Sequence, residues 1–270
     1  MKIPFIKMHG LGNDFVILDE LKSSFSYETT LIKKICSRRF GIGCDQLLII
    51  ENFDQKKAKI KIFNNDGSEA LACGNGVRCL GSYLMEKNNI DTIKISTIAN
   101  SLECWKDGKF ISVNMGKPKF KSKEIPLAKN INKVDLDLEG YKIQCVSIGN
   151  PHGIIFFNTL KELESVNILE LGPKIEQNPI FPKGINIEFV TILDNGSIRM
   201  KVWERGVGMT LACGSGACAA LVVANKLKLS GRKNKVILDG GELIINWLKN
   251  NNLIMTGPVA KVFKGKFNVD

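Results

Sequence analysis

The chain has 270 residues, 44 % of them hydrophobic, with a formal charge of +11 and eight cysteines against two histidines. No apolar run reaches the ~18 residues of a membrane helix, the opening Met1-Lys2-Ile3-Pro4-Phe5-Ile6-Lys7-Met8-His9 is too short in apolar residues for a signal peptide, and the basic residues are scattered lysines with no run interleaved with aromatics. Membrane spanning, export and nucleic-acid binding are therefore set aside. A cytoplasmic protein with reduced cysteines is expected, its lysine-rich surface helping to draw in an anionic small molecule.

In chain order, the opening nonapeptide reads as a strand, followed by Gly12-Asn13 and the apolar stretch Phe15-Val16-Ile17-Leu18. Gly43-Cys44-Asp45-Gln46-Leu47 comes next. Ala58 to Phe63 alternates like a half-buried strand and ends in the turn residues Asn64-Asn65-Asp66-Gly67. Leu71-Ala72-Cys73-Gly74-Asn75-Gly76 then opens a helical stretch, Val77 to Lys87. Lys117 to Asp137, with Pro118, Pro126 and many lysines, reads as a crossover.

The second half repeats the order of the first. Gly149-Asn150 precedes the apolar Ile154-Ile155-Phe156-Phe157; Lys183-Gly184-Ile185-Asn186-Ile187 falls opposite the segment around Gln46; Ser197 to Trp203 alternates and ends in Glu204-Arg205-Gly206-Val207-Gly208. Leu211-Ala212-Cys213-Gly214-Ser215-Gly216 then repeats the first hexapeptide and leads into Ala217 to Lys226, apolar almost all round and so a buried helix. Ordered agreement at four places indicates an internal duplication, with two domains of about 130 residues each and a pseudo-twofold axis between them.

Two cysteines related by such an axis are expected to face each other across one cleft, where one sulfur removes a proton from a substrate carbon and the other returns one to the opposite face. The product is a stereochemical inversion. Each cysteine and its glycines stand at a helix N-terminus, where unpaired N–H groups and the dipole bind a carboxylate and are expected to lower the thiol pKa. Donors aimed at the developing carbanion replace an electron sink, each worth on the order of 3 kcal/mol. His152 and Glu204 are candidate bases for the thiols, and Arg205 a bidentate carboxylate clamp. No phosphate-binding or dinucleotide motif is present, and the cysteine spacings are not those of zinc sites, so neither cofactor nor metal is expected. Cys36, Cys79, Cys104, Cys145 and Cys218 read as small buried hydrophobes.

Taken as blocks, Met8-His9-Gly10-Leu11-Gly12-Asn13-Asp14-Phe15, Gly41 to Leu48, Phe63 to Glu69, Cys73 to Cys79, Gly149-Asn150-Pro151-His152, Gly184-Ile185-Asn186, Trp203 to Gly208 and Ala212 to Ala217 resemble, in order, the signatures of the diaminopimelate epimerase family. The resemblance spans essentially the whole chain. It implies interconversion of LL- and meso-2,6-diaminoheptanedioate, on the path to lysine and peptidoglycan, without metal or pyridoxal phosphate. Cys73 and Cys213 would be the acid/base pair, assisted by His152 and Glu204. The reacting carboxylate would lie on the amides of Gly74-Asn75 and Gly214-Ser215, with Asn64, Asn186 and Arg205 holding the distal L-centre and Asn13, Gln46 and Asn150 completing the lining. The implied fold is of α/β (α+β) type: two pseudo-symmetric domains, each a mixed, mostly antiparallel sheet around a central helix. Val259 to Phe267 would return to the first domain, giving 1–116 plus 260–270 around Cys73 and 117–259 around Cys213. A homodimer is implied as well. Cys44 stands where a small residue is usual, and Leu71 and Met209 at positions often acidic or polar. Two rivals are a two-cysteine racemase of proline or hydroxyproline, with no need for a distal clamp, and a redox switch closing Cys73 onto Cys213.

Overall fold

The computed structural model describes residues 2–19, 27–70, 73–128 and 131–269; Leu71 and Ala72 lie outside the described residues. The chain divides into two compact units, Met1–Asn114 with Thr256–Asp270, and Met115–Met255.

In the first unit, β1 (Lys2–Gly10) is flanked by β2 (Asn13–Asp19) and by the last strand of the chain, Ala260–Asn268, both antiparallel to it. After α1 (Thr29–Cys36), β3 (Gln46–Asp54) pairs parallel with β2 and antiparallel with β4 (Lys57–Asn64). Helix α2 (Gly74–Asn88) leads to β5 (Thr92–Ser96), parallel to β4, and the meander closes with β6 (Ser101–Asp107) and β7 (Phe110–Asn114). Leu47 to Ile50 are all buried because β3 is covered on both faces. Leu47 and Ile49 join Ile32, Ile35 and Cys36 of α1 in one core, whereas Leu48 meets α2 at Gly76. Helix α2 ends at Asn89, whose left-handed φ of 51° makes the C-cap.

The second unit repeats this plan. Strands β8 (Asp135–Leu138) and β9 (Tyr141–Ser147) lead to β10 (Pro151–Phe157), then come α3 (Leu160–Ser165), α4 (Ile168–Glu176), β11 (Asn186–Ile192), β12 (Ile198–Glu204) and β13 (Gly208–Thr210). Helix α5 (Gly214–Lys226), β14 (Lys233–Leu238), β15 (Gly241–Trp247) and the first three residues of β16 (Leu253–Gly257) complete it, the strand passing into the first unit at Thr256. The parallel pairs fall where they do in the first unit. Strand β10 runs parallel to β11 as β2 does to β3, and β12 parallel to β14 as β4 does to β5. Register agrees too: Phe15 pairs with Gln46 and His152 with Asn186, while Leu47 opposes Phe63 as Ile187 opposes Trp203. Nearly every residue of α5 is buried, so its Ala- and Val-rich sequence belongs to a core helix. The segment read as a crossover packs Ile125 and Leu136 into the core of the second unit.

Candidate active site

The predicted residues fall into two sets, Asn13, Gln46, Asn64, Cys73, Gly74 and Asn75 in the first unit, and Asn150, His152, Asn186, Glu204, Arg205, Cys213, Gly214 and Ser215 in the second. In each, the cysteine is the residue immediately before the helix, so that its glycine is the first helical residue.

Cys73 has extended backbone (φ −149°, ψ 110°), and its Sγ accepts the N–H of Gly76 at 3.4 Å. The sulfur thus takes up one of the donors a helix start leaves over. Its thiol lies 3.9 Å from Asn13 Oδ1, the oxygen that also accepts Asn75 Nδ2 at 3.3 Å. Asn13 is held from behind by charge. Its Nδ2 donates to Asp45 Oδ2 at 3.0 Å, and Arg38 spans Asp45 at 2.6 Å and both oxygens of Asp14 at 2.8 and 2.9 Å. Lys7 binds Asp14 at 2.6 Å. Burial alone would raise the Asp14 pKa, but Arg38 and Lys7 hold it well below the usual carboxylate range. Across β3 and β4, Gln46 Nε2 donates to Asn64 Oδ1 at 2.9 Å, leaving the buried Gln46 Oε1 with no hydrogen-bond partner among the described residues.

Cys213 (φ −120°, ψ 112°) is 5 % exposed, with Sγ 3.6 Å from Ser215 Oγ. Glu204, at the end of β12, accepts the Thr210 hydroxyl at 2.5 Å, and its charge acts on the Cys213 thiol. His152 is wholly buried, its Nδ1 2.7 Å from Glu188 Oε1 and its Nε2 2.9 Å from Asn150 Oδ1. Glu188, also wholly buried, explains the second glycine of Cys213-Gly214-Ser215-Gly216: a Cβ there would stand 2.5 Å from Glu188 Oε1.

Here the expectation of a lowered thiol pKa fails. Burial, then the charges of Glu204 and Glu188, push the Cys213 thiol well up, outweighing the Ser215 hydroxyl and the Gly216 N–H. Burial and the Glu188 charge likewise raise Glu204 above the ordinary carboxylate value. A helix start acts within its first turn, and two carboxylates in a desolvated site exceed it.

Asn186 is used internally, Nδ2 on Pro151 O at 2.8 Å and Oδ1 accepting the Arg205 N–H at 3.0 Å. It fixes the backbone of Arg205, whose guanidinium donates to Lys183 O at 3.0 Å. Glu176 braces the same turn by accepting Trp203 Nε1 at 2.7 Å and the Gly206 N–H at 2.8 Å. Burial pushes the Cys79, Cys104 and Cys145 thiols up to about 12, as inert core residues require. Cys44 packs in the first core with its Sγ 3.5 Å from that of Cys36, and Met209 is 43 % exposed. Sequence reasoning missed Glu188, Asp14, Arg38, Asp45 and Glu176. Only Glu188 carries a local signal, a lone carboxylate in the apolar run Ile185 to Val190.

The family model for diaminopimelate epimerase matches residues 5–121 and 144–262. The chain belongs to the diaminopimelate epimerase family. A curated diaminopimelate epimerase of Acetivibrio thermocellus is 41 % identical over 98 % of this chain and 99 % of its own. One from Carboxydothermus hydrogenoformans is 42 % identical over 97 % and 98 %, and one from Methanococcus maripaludis 40 % over 98 % and 99 %. Among solved structures, a predicted epimerase from Pseudomonas aeruginosa superposes with a TM-score of 0.72 at 13 % identity, covering 99 % of this chain and all of the other. A hydroxyproline epimerase from Agrobacterium vitis gives 0.69 at 12 %, covering all of this chain and 93 % of the other. These two establish the shared fold. The fold is therefore that of the diaminopimelate epimerase family, two α/β units of mixed, mostly antiparallel sheet, each around a central helix.

Proposed function

We propose that this chain epimerises LL-2,6-diaminoheptanedioate to the meso form with Cys73 and Cys213 as the two acid/base residues, in the cytoplasm and as a homodimer, for lysine and peptidoglycan synthesis. Family membership supports the substrate. The observation that carries the chemistry is that both cysteines occupy the same place, immediately before the first turn of the central helix in a duplicated unit. One thiolate takes the α-proton, the carbanion spreads onto the α-carboxylate, and the other thiol returns a proton to the opposite face. The amides of Gly74-Asn75 and Gly214-Ser215 receive that carboxylate, donors placed where charge develops. No cofactor or metal is needed in this scheme.

Glu204 is the base that receives the Cys213 proton, which the action of its charge on that thiol supports; a raised carboxylate pKa suits a base facing a thiol. His152 acts on thiol deprotonation through the polar cluster it shares with Asn150. Asn64 and Arg205 take the distal amino-acid head, Asn186 serving them by fixing the Arg205 backbone, while Asn13, Gln46 and Asn150 line the site.

The test is an NMR time course of reduced, chelator-treated protein with LL-diaminopimelate in deuterated water. Loss of the α-proton signal with appearance of deuterated meso product is the expected result. Exchange on proline or hydroxyproline but not on diaminopimelate would move the chain to the racemase reading.

A further inference from the structure

The two units differ in chemistry where their scaffolds agree in register. Phe15 and Leu48 on β2 and β3 are both wholly buried, and both line Gly76 at the start of α2. The corresponding residues of β10 and β11 are His152 and Glu188, equally buried, with Glu188 against Gly216 at the start of α5. One helix start stands over an apolar pair and the other over a hydrogen-bonded His–Glu pair.

Burying a carboxylate is costly unless it is paired. Glu188 meets that cost through one oxygen only: Oε1 contacts His152 Nδ1 at 2.7 Å, and Oε2 has no hydrogen-bond partner among the described residues. The remaining ionisable groups acting here are Glu204 on β12, Cys213 before α5 and Cys145 on β9. Leu48 shows that the fold itself accepts an apolar residue at this place, so the carboxylate has a use other than packing. A carboxylate oxygen accepts hydrogen bonds, and the Oε1 of Glu188 stands where it receives a proton carried on Nδ1 of the imidazole.

We propose that Glu188 is the positioning residue for His152, accepting from Nδ1–H and so orienting the ring with Nε2 toward Asn150 Oδ1 and the polar lining. The assignment rests on the proposed function in one respect, that His152 serves the reaction.

The chain has two histidines, so a spectrum of protein labelled with ¹⁵N-histidine contains two rings, His9 serving as the internal reference. In the wild type, the His152 ring is expected to show a protonated, strongly hydrogen-bonded Nδ1. Glu188→Gln keeps the volume and removes the obligate acceptor. It should abolish that signature and lower kcat by about 10²-fold or more, with KM changed far less, because an imidazole in the wrong tautomer costs up to about 10⁴ in comparable acid–base sites. A second variant, His152→Phe with Glu188→Leu, copies the apolar pair of the first unit. It should fold with a Tm at or above that of the wild type, since replacing a buried ion pair by apolar residues is often neutral or stabilising, and lose epimerisation by about 10²-fold or more.

Glu188→Gln with an unchanged His152 spectrum and wild-type kcat would overturn the proposal, as would the double variant turning over at the wild-type rate. Wild-type protein that ignores diaminopimelate, yet loses the Nδ1 signature on Glu188→Gln, would refute the proposed function while upholding the control of His152 by Glu188.

Discussion

Leu48 and Glu188 occupy the same position in the two units, the first with its methyl carbons 3.3 Å from where a Cβ of Gly76 would stand, the second with Oε1 2.5 Å from where a Cβ of Gly216 would stand. One backbone plan therefore carries two chemistries. The two glycines look interchangeable in the repeated hexapeptide but answer different constraints, one a flexible apolar tip and the other a buried carboxylate tied to His152.

Alanine at these two positions should separate them. Gly76→Ala gains about 1 kcal/mol of helix propensity and asks Leu48 to move a few tenths of an ångström, so stability should stay within about 1 kcal/mol of wild type. Gly216→Ala must displace the Glu188 carboxylate from its partner and should cost about 2 to 3 kcal/mol despite the same propensity gain. Urea unfolding of the two variants side by side measures the difference.

Charge around Cys213 should be readable in its reactivity. Glu204 and Glu188 both raise its thiol pKa, so Glu204→Gln, which removes one negative charge, should shift the pH profile of Cys213 alkylation to lower pH. The same variant should lose epimerisation by about 10²-fold or more because the base is gone. Mass-spectrometric alkylation rates against pH decide the first point, and an unmoved or upward-shifted profile would contradict it.

Serine at either cysteine should leave the fold intact and stop the reaction. The Sγ of Cys73 already acts as a cap on Gly76, and a serine hydroxyl is a good acceptor at that position, so Tm should change little for Cys73→Ser. Both Cys73→Ser and Cys213→Ser should abolish epimerisation, while each retains the ability to exchange a proton on one face. A single variant epimerising at the wild-type rate refutes the two-cysteine scheme.

Arg205→Ala should act on substrate and not on stability. Its guanidinium holds one backbone carbonyl, Lys183 O, and its own N–H stays bound to Asn186 whatever the side chain. The expected result is a Tm near wild type with KM for diaminopimelate raised by about tenfold or more, the loss of one charge-assisted clamp. An unchanged KM would remove Arg205 from the distal site.

The Arg38, Lys7 and Asp14 cluster should give stability a defined acid limit. The Asp14 pKa is lower in the folded protein than its unfolded value, so its contribution is full above about pH 4, the ordinary aspartate value, and fades as pH falls through the folded pKa. Arg38 is mostly exposed, its side chain 58 % accessible, so Arg38→Ala should cost only about 1 kcal/mol at neutral pH. That difference should shrink below pH 4, as chemical unfolding at a series of pH values would show.

Much of the scaffold was legible because duplication leaves its mark in local sequence. Gly12 and Gly149 recur because both take a left-handed backbone, φ 82° and 98°, that only glycine adopts freely, and each opens a site strand at Asn13 or just before Pro151. The hexapeptides recur because each must start a helix at a cysteine with room for a close neighbour. Chain order, spacing and residue type thus sufficed to place Cys73 with Cys213 and Asn13 with Asn150 on equivalent anchors, with His152 two residues past the second of these.

What the sequence by itself determined was therefore the repeat, strands and a buried helix in each half, and the candidate residues for proton transfer, since these follow from backbone conformation and side-chain type at fixed spacing; the mixed sheet around a central helix was legible only through the family resemblance. The tertiary structure alone decided their electrostatics. Glu188 meets His152 across neighbouring parallel strands, Arg38 reaches Asp14 and Asp45 to hold Asn13, and burial, then the charges of two carboxylates, reverses at Cys213 the effect of its helix. Desolvation and charge pairing depend on distance in space, and strand pairing joins residues whose separation along the chain says nothing of it.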